Sequence, residues 1–474
     1  MFSHSPAAPE RAPPRGFAVL AACLALLRPA AASAHAGERM VILTLPTGYY
    51  SLGAALVVAL TALIGAPLPR RPPRPAPRPL LGWRRRLPSG LTSWLAALLL
   101  WALILNGFFG TRDPLGNLLV LTIWTLLWVG LPLLALAFGD VWRPLNPWRG
   151  PVRSLRRLIG RDGSDGLARL GHWPAVAGLF GFAWFEIVSL APADPAVLAR
   201  VVATYWLLML GLAVIEGEAW LERGEFLTVY FGFIARIAPL WVEQGGERSR
   251  LMAALPGARI LAMPPLDRGQ TAFVALMLAS VTFDGLSESF WWLARLGLNP
   301  LDFPGRSAVI GANTAGLVAS WVLTGATILG AVALGRHIAG AAGPFWRDAG
   351  PAMLAFLPIA AGYHAAHYLV ALLTNGQYAV LAASDPFGRG WNPLGLPEHW
   401  VSFGFLGDAG AVQVIWNLQF GLILCAHLLA VLLGLSIAGR SDPPPTRAAH
   451  LPMTALMVAY TVLGLWLLST PVAA

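Results

Sequence analysis

The sequence predicts an all-α fold, a polytopic membrane helix bundle of about ten transmembrane helices behind a signal peptide. Three observations carry this. The chain is 57% hydrophobic and only 12% charged, about half the charge of an ordinary soluble domain. Uncharged apolar runs of about 20 residues recur along it, the length a helix needs to cross a hydrocarbon core of about 30 Å. The basic residues are all Arg, and they collect in alternate loops between those runs. Only helices or closed barrels satisfy their backbone groups in lipid, and these runs have helix length.

The N-terminus reads as a secretory signal over residues 1–34. Arg11 and Arg15 precede the apolar run "FAVLAACLALL", and the small-residue stretch "AAASA" follows; this is the n-region, h-region and cleavage-site order. Cleavage after Ala34 leaves His35 first, and an uncleaved signal anchor is the alternative. Cleavage also removes Cys23, so Cys425 stands alone and no intrachain disulfide forms.

The ten apolar cores then run in order over 46–66, 89–110, 117–138, 173–192, 199–219, 270–293, 307–334, 351–373, 411–437 and 451–470. The loops at 67–88, 139–172, 220–269, 335–350 and 438–450 hold seven, seven, six, two and two Arg. The opposite side, from His35 onward, holds six in all: Arg39, Arg112, Arg200, Arg295, Arg306 and Arg389. Positive charge marks the cytoplasmic face, so the expected home is the bacterial inner membrane with the mature N-terminus outside. The stretch 67–88, "PLPRRPPRPAPRPLLGWRRRLP", reads as a basic, Pro-rich cytoplasmic linker touching anionic headgroups, not as a nucleic-acid site. "GDVWRPLNPWRGPVRSLRRL" reads as an interfacial segment with Arg on lipid phosphates. Residues 225–241 are apolar but short and contain Arg236, which suits an interfacial helix or half a span. The segment 374–410 is expected to be a long periplasmic loop, with Trp391 and Trp400 at the lipid surface. A loop of that length also suits a lid, with Asp385, Glu398 and His399 above the bundle.

No P-loop, dinucleotide fingerprint, HExxH or paired CxxC is present, so any site must be built between helices. Ionisable residues inside spans are costly and therefore mark candidate sites. Away from the span ends they are Glu186, Asp284, Glu288, His364, His367 and His427. Counting about 1.5 Å per residue from the outer ends, Glu186 and Glu288 lie roughly 7–9 Å in. Asp284, His364 and His367 lie roughly 10–14 Å in, and His427 roughly 24 Å. His364 and His367 share a helix face, and so do Asp284 and Glu288. Such pairs suit a divalent transition metal (Zn, Fe, Mn or Cu) held between two helices by His364, His367, Asp284 and Glu288, with His427 of a third helix as a further candidate ligand. The same groups equally suit a polar clamp between helices or a proton relay. A mature His35 would offer copper its amine and ring nitrogen, with His399 on the same side.

At "GDVWRPLNPWR", "FAWFEIV", "GEAWLERGEFLTVYFGFIARIAP", "SVTFDGLSES", "AAHYLV", "NGQ", "ASDPFGRG" and "IWNLQFGLILCAH", the chain resembles a family of bacterial integral membrane proteins named fenitrothion hydrolases. The resemblance spans residues 139 to about 430. It implies hydrolysis of lipophilic organophosphate triesters, and it puts weight on Glu186, Asp284, His367, Gln377, Asp385, Gln419 and His427, while His364 falls outside the pattern. On that reading Asp284, Glu186 and His367 are the catalytic candidates, as base, ligand or acid. The substrate is small and lipophilic, reaching the site from the bilayer, with no nucleic-acid partner. A transporter or ion- or proton-conducting protein, and a metal-handling assembly factor, are the competing expectations.

Overall fold

A computed structural model describes residues 47–65, 77–84, 90–164, 166–245, 248–302, 305–440 and 446–470, all within one compact unit, Leu45–Ala474. The predicted signal and His35 lie outside the described residues. The chain is a mostly helical, multi-pass membrane protein. The helices that matter below are α1 (Thr47–Gly65), α2 (Leu91–Phe109), α3 (Leu118–Phe138), α4 (Arg149–Leu158), α5 (Trp173–Ile187), α6 (Pro195–Glu216), α7 (Phe226–Ile234), α8 (Arg268–Ser287), α9 (Arg306–Ala339), α10 (Trp346–His367), α11 (Leu369–Ser384), α12 (Ala409–Ala438) and α13 (Arg447–Ser469). Seven of these are long and apolar enough to cross a membrane: α2, α3, α6, α8, α9, α12 and α13. The pair α10 and α11 passes the same test together but bends by 56° at its break. The other two predicted spans are occupied by shorter apolar helices, Tyr50–Leu63 within α1 and Trp173–Ile187.

Several predicted boundaries move. The fourth span stops at Ile187 instead of 192, where Ser189 turns back onto the Phe185 carbonyl (2.6 Å). The sixth span, drawn to 293, ends at Ser287, and Ser289 caps a new short helix over Phe290–Arg295. The outer loop is shorter than expected, since α11 runs to Ser384 and α12 begins at Ala409. Segment 225–241 does not span. It forms α7, nine residues of which eight are buried, then turns into a strand.

That strand belongs to a small antiparallel sheet the sequence did not suggest. β1 (Arg78–Arg84), β2 (Leu240–Gly245) and β3 (Arg248–Ala253) pair in the order β1-β3-β2. Part of the supposed linker is thus a strand. The sheet ties loop 67–88 to loop 220–269. Other bonds join the remaining Arg-rich loops to the same face. Arg153 pairs with Glu218 (2.9 Å), His172 with Asp267 (2.8 Å), and Arg440 donates to the Leu261 carbonyl (2.6 Å). Arg268 lies over the Trp346 ring, 5.5 Å from its centroid. At the opposite end, Trp124 donates to the Pro192 carbonyl (3.1 Å), and Arg306 donates to the carbonyls of Glu186 (2.7 Å) and Ser189 (3.1 Å). The five Arg-rich loops therefore share one face, as the alternation of charge required. The segment "GDVWRPLNPWR" differs from its expected interfacial form: Trp142 and Trp148 are buried, and Arg149 pairs with Glu218 at 3.3 Å.

Candidate functional site

Two irregular helices build the site, and each irregularity has a cause. In α3, Thr122–Gly130 winds as a π-helix, a rare form that is frequent at functional sites. Pro132 follows directly, and its missing N–H leaves the Trp128 carbonyl without its ordinary α-helical donor. His364 Nε2 supplies one at 2.8 Å. A carbonyl only accepts, so Nε2 carries the proton. Nδ1 then faces the Tyr230 hydroxyl at 3.5 Å.

The break between α10 and α11 falls at Tyr368. Gln419 of α12 donates its side-chain amide to the Ala366 carbonyl at 2.8 Å. A side chain inserted into the hydrogen-bond ladder is a recognised cause of a sharp kink. The two helices can meet this closely because Gly362 is bare. A Cβ there would stand 2.4 Å from the Ala426 Cβ and 3.1 Å from the Leu422 carbonyl.

The break presents His367 and Tyr368 side by side. His367 Nε2 meets Asp284 Oδ2 of α8 at 2.9 Å, and the Tyr368 hydroxyl donates to the same oxygen at 2.7 Å. That hydroxyl also lies 3.2 Å from Glu186 Oε1 of α5. Three helices thus contribute Glu186, Asp284, His367 and Tyr368 to one chain of hydrogen bonds. The His367 ring stacks on Tyr363, with centroids 6.0 Å apart and planes 12° from parallel. Gly285 makes room beside it, since a Cβ would stand 3.0 Å from the Tyr363 hydroxyl and 3.7 Å from His367 Nδ1. The His367 side chain keeps 20% of its surface accessible and Asp284 keeps 11%. Behind Tyr368 lies a cavity of about 10 Å³, lined by Trp128, Glu186, Tyr230, Ser280 and His364 among others. It has room for about one water molecule. Among the described residues, the Tyr363 hydroxyl in this region is buried without a hydrogen-bond partner.

The structure brings together three predicted residues, Glu186, Asp284 and His367. It does not assemble the expected metal clamp. His364 turns both ring nitrogens away from Asp284, to Trp128 and Tyr230. Glu288 sits exposed where α8 ends, because the helix does not continue one more turn past Asp284. His427 bonds its own helix through the Ile423 carbonyl (2.8 Å), and its Nε2 is buried without a partner. Among the described residues, no group of three or more His, Cys, Asp or Glu side chains is placed to hold a metal ion. Gln377 and Asp385 hold the outer loop. Gln377 accepts from Ser402 N (2.8 Å), and Asp385 accepts from the backbone of Arg389 (2.9 Å) and Gly390 (2.6 Å). Those backbone N–H groups, Arg389 first, hold the Asp385 carboxyl below the usual range. Glu398 and His399 are exposed. Sequence reasoning missed Tyr368. The signal was available, since an aromatic with a polar tip adjoined His367 inside an apolar run.

No protein-family model, curated protein or solved structure matches the chain.

Proposed function

We propose that this is a ten-span protein of the bacterial inner membrane, made with a cleaved signal peptide and with its mature N-terminus outside. We propose further that it hydrolyses neutral, lipophilic phosphotriesters, as its resemblance to the fenitrothion hydrolases implies. One observation carries the chemistry: the Asp284–His367 pair at 2.9 Å, on a broken span, with part of the imidazole accessible. The Asp284 carboxylate accepts the Nε2 proton, which leaves the Nδ1 lone pair of His367 as a base. A carboxylate that orients an imidazole in this way is the base half of a hydrolytic triad.

In the reaction, water gives a proton to His367 Nδ1 while its oxygen attacks phosphorus. The bond from phosphorus to the aryloxide oxygen breaks. The proton passes from His367 to the leaving aryloxide, so the products are the dialkyl acid and the phenol. Tyr368 steadies Asp284 through its hydroxyl, and Glu186 shares that hydroxyl from the other side. A second reading, proton conduction, is favoured by the 56° break beside this hydrogen-bonded chain.

The test is fenitrothion hydrolysis by purified protein in proteoliposomes. His367→Ala and Asp284→Asn are expected to lower turnover by about 10²–10⁴-fold, the range for loss of a general base. Full activity in both variants rejects the hydrolase reading. Proton uptake that both variants abolish, with no hydrolysis by the wild type, supports the second reading.

A further inference from the structure

A groove of about 760 Å³ opens on the outside of the bundle between α5 and α9. Its walls are Trp184, Ile310, Gly311, Ala315, Val318 and Val322, with the Thr314 hydroxyl already engaged by Trp184 Nε1 at 3.0 Å. Val318 and Val322 are 40% and 59% exposed, so this side of α9 faces the surroundings and not the core. The part of an occupant that lies along the groove must therefore be uncharged and apolar. From Ile310 to Val322 the groove follows α9 for about 18 Å, close to the depth of one leaflet, about half of a 30 Å core.

Its outer end carries a charge of the opposite character. Arg306 begins α9 one turn before Ile310 and is exposed. Its Nη1 is spent on the Glu186 and Ser189 carbonyls, which fixes the guanidinium across the mouth between α5 and α9. It forms no ion pair among the described residues. Arg binds phosphate through paired N–H donors. A cation at headgroup level above an apolar groove of leaflet length matches a phospholipid.

We propose that this groove holds one phospholipid, with an acyl chain along α9 and its phosphate on Arg306, in the leaflet opposite the Arg-rich loops. The site is independent of the hydrolase reading.

Native mass spectrometry of the full chain tests this, after exchange into micelles doped with dioleoyl phosphatidylglycerol or dioleoylglycerol. The wild type is expected to retain one phosphatidylglycerol. Gly311→Leu and Ala315→Leu fill the groove from positions that face outward, and a Cβ at Gly311 meets nothing within 4 Å. Each should lower retention of both lipids. Arg306→Gln should weaken phosphatidylglycerol by about tenfold, the loss of one charge-assisted contact, and leave dioleoylglycerol unchanged. Retention that is equal in all forms overturns the proposal, as does a wild type that retains no phosphatidylglycerol. A dimer of the chain that Ala315→Leu dissociates overturns it too, in favour of a second copy on this face.

Discussion

Glu225 and Asp284 are both carboxylates enclosed by apolar helices, yet their surroundings differ. Glu225 is fully buried and caps α7. It accepts from Leu227 N (2.9 Å), Thr228 N (2.7 Å), the Thr228 hydroxyl (2.5 Å) and the Tyr205 hydroxyl (2.8 Å). The Thr228 oxygen in turn accepts from Trp142 (3.2 Å) and Asn146 (3.0 Å). Four donors use the acceptor capacity of the carboxylate. Asp284 accepts from His367 and Tyr368, beside a buried Tyr363 hydroxyl that has no partner among the described residues and a cavity of about 10 Å³. A saturated network specifies a fold; one with spare capacity and an access route can exchange protons or bind a ligand. The first region is a knot, and the second is a candidate site.

The largest expected effect breaks the knot. Glu225→Ala leaves the Tyr205 hydroxyl and two backbone N–H groups without their acceptor in an apolar setting. Each such group costs about 1–3 kcal/mol, so a loss of roughly 3–5 kcal/mol is expected. It should be read as a lower unfolding midpoint in detergent. Tyr368→Phe is the matching change at the site. It keeps the ring contacts with His364 and His367 (4.8 and 4.7 Å between centroids) and removes only the bridge from Asp284 to Glu186. Fenitrothion turnover should fall by about tenfold, the worth of one hydrogen bond to a charged group, with the midpoint nearly unchanged. If Tyr368→Phe unfolds the protein as readily as Glu225→Ala, the two regions are of one kind and the distinction fails.

Gln419→Leu probes what connects site and fold, and its effect should be smaller. Leu fills the space but gives the Ala366 carbonyl no donor. The expected cost is about 1 kcal/mol, with lower turnover, because the break that presents His367 loses its cause. Turnover equal to wild type would show that the bend is held elsewhere.

These positions also show what a sequence can reveal. Spans are legible because a lipid solvent forces long apolar runs, and the alternation of Arg carried through to a shared face. Asp284, His367 and Glu186 are legible as ionisable residues inside apolar spans, but that criterion alone also selects Glu288, His364 and His427, which the structure places elsewhere. The pairing of Asp284 with Glu288 failed because α8 ends between them, a boundary set by Ser289 that hydropathy does not register. His364 seemed a ligand because its real partner is the Trp128 carbonyl, which Pro132 exposes 236 positions earlier in the chain, a relation no local pattern carries. Glu225 lay in a loop by hydropathy, so it drew no attention. The sheet was hidden because β1 comes from Arg- and Pro-rich chain, whose composition argues against a strand.

Asp385 offers the finest test of the comparison. Like Glu225 it accepts backbone N–H groups from the residues that follow, here Arg389 and Gly390, but it does so in the outer loop, open to water. Those donors lower its pKa in the folded chain. A depressed carboxyl contributes stability that is complete above the unfolded value, about 3.9, and is lost as pH falls through the lower folded value. Order in the turn should therefore hold at about pH 5 and disappear toward about pH 2. Pepsin cleavage within 385–396 reads this directly. Asp385→Asn should be cut faster than wild type at about pH 5, and the two rates should converge as pH falls through the lowered folded value and the Asp385 carboxyl takes up its proton. Solvent screening keeps the difference small, and the bundle should not unfold with the loop. Rates that are equal at pH 5 would mean the turn is held by its glycines, Gly388 and Gly390, whose positive φ suits it without the carboxylate. Backbone donors would then matter to a carboxylate in this protein only where water is excluded, as it is around Glu225.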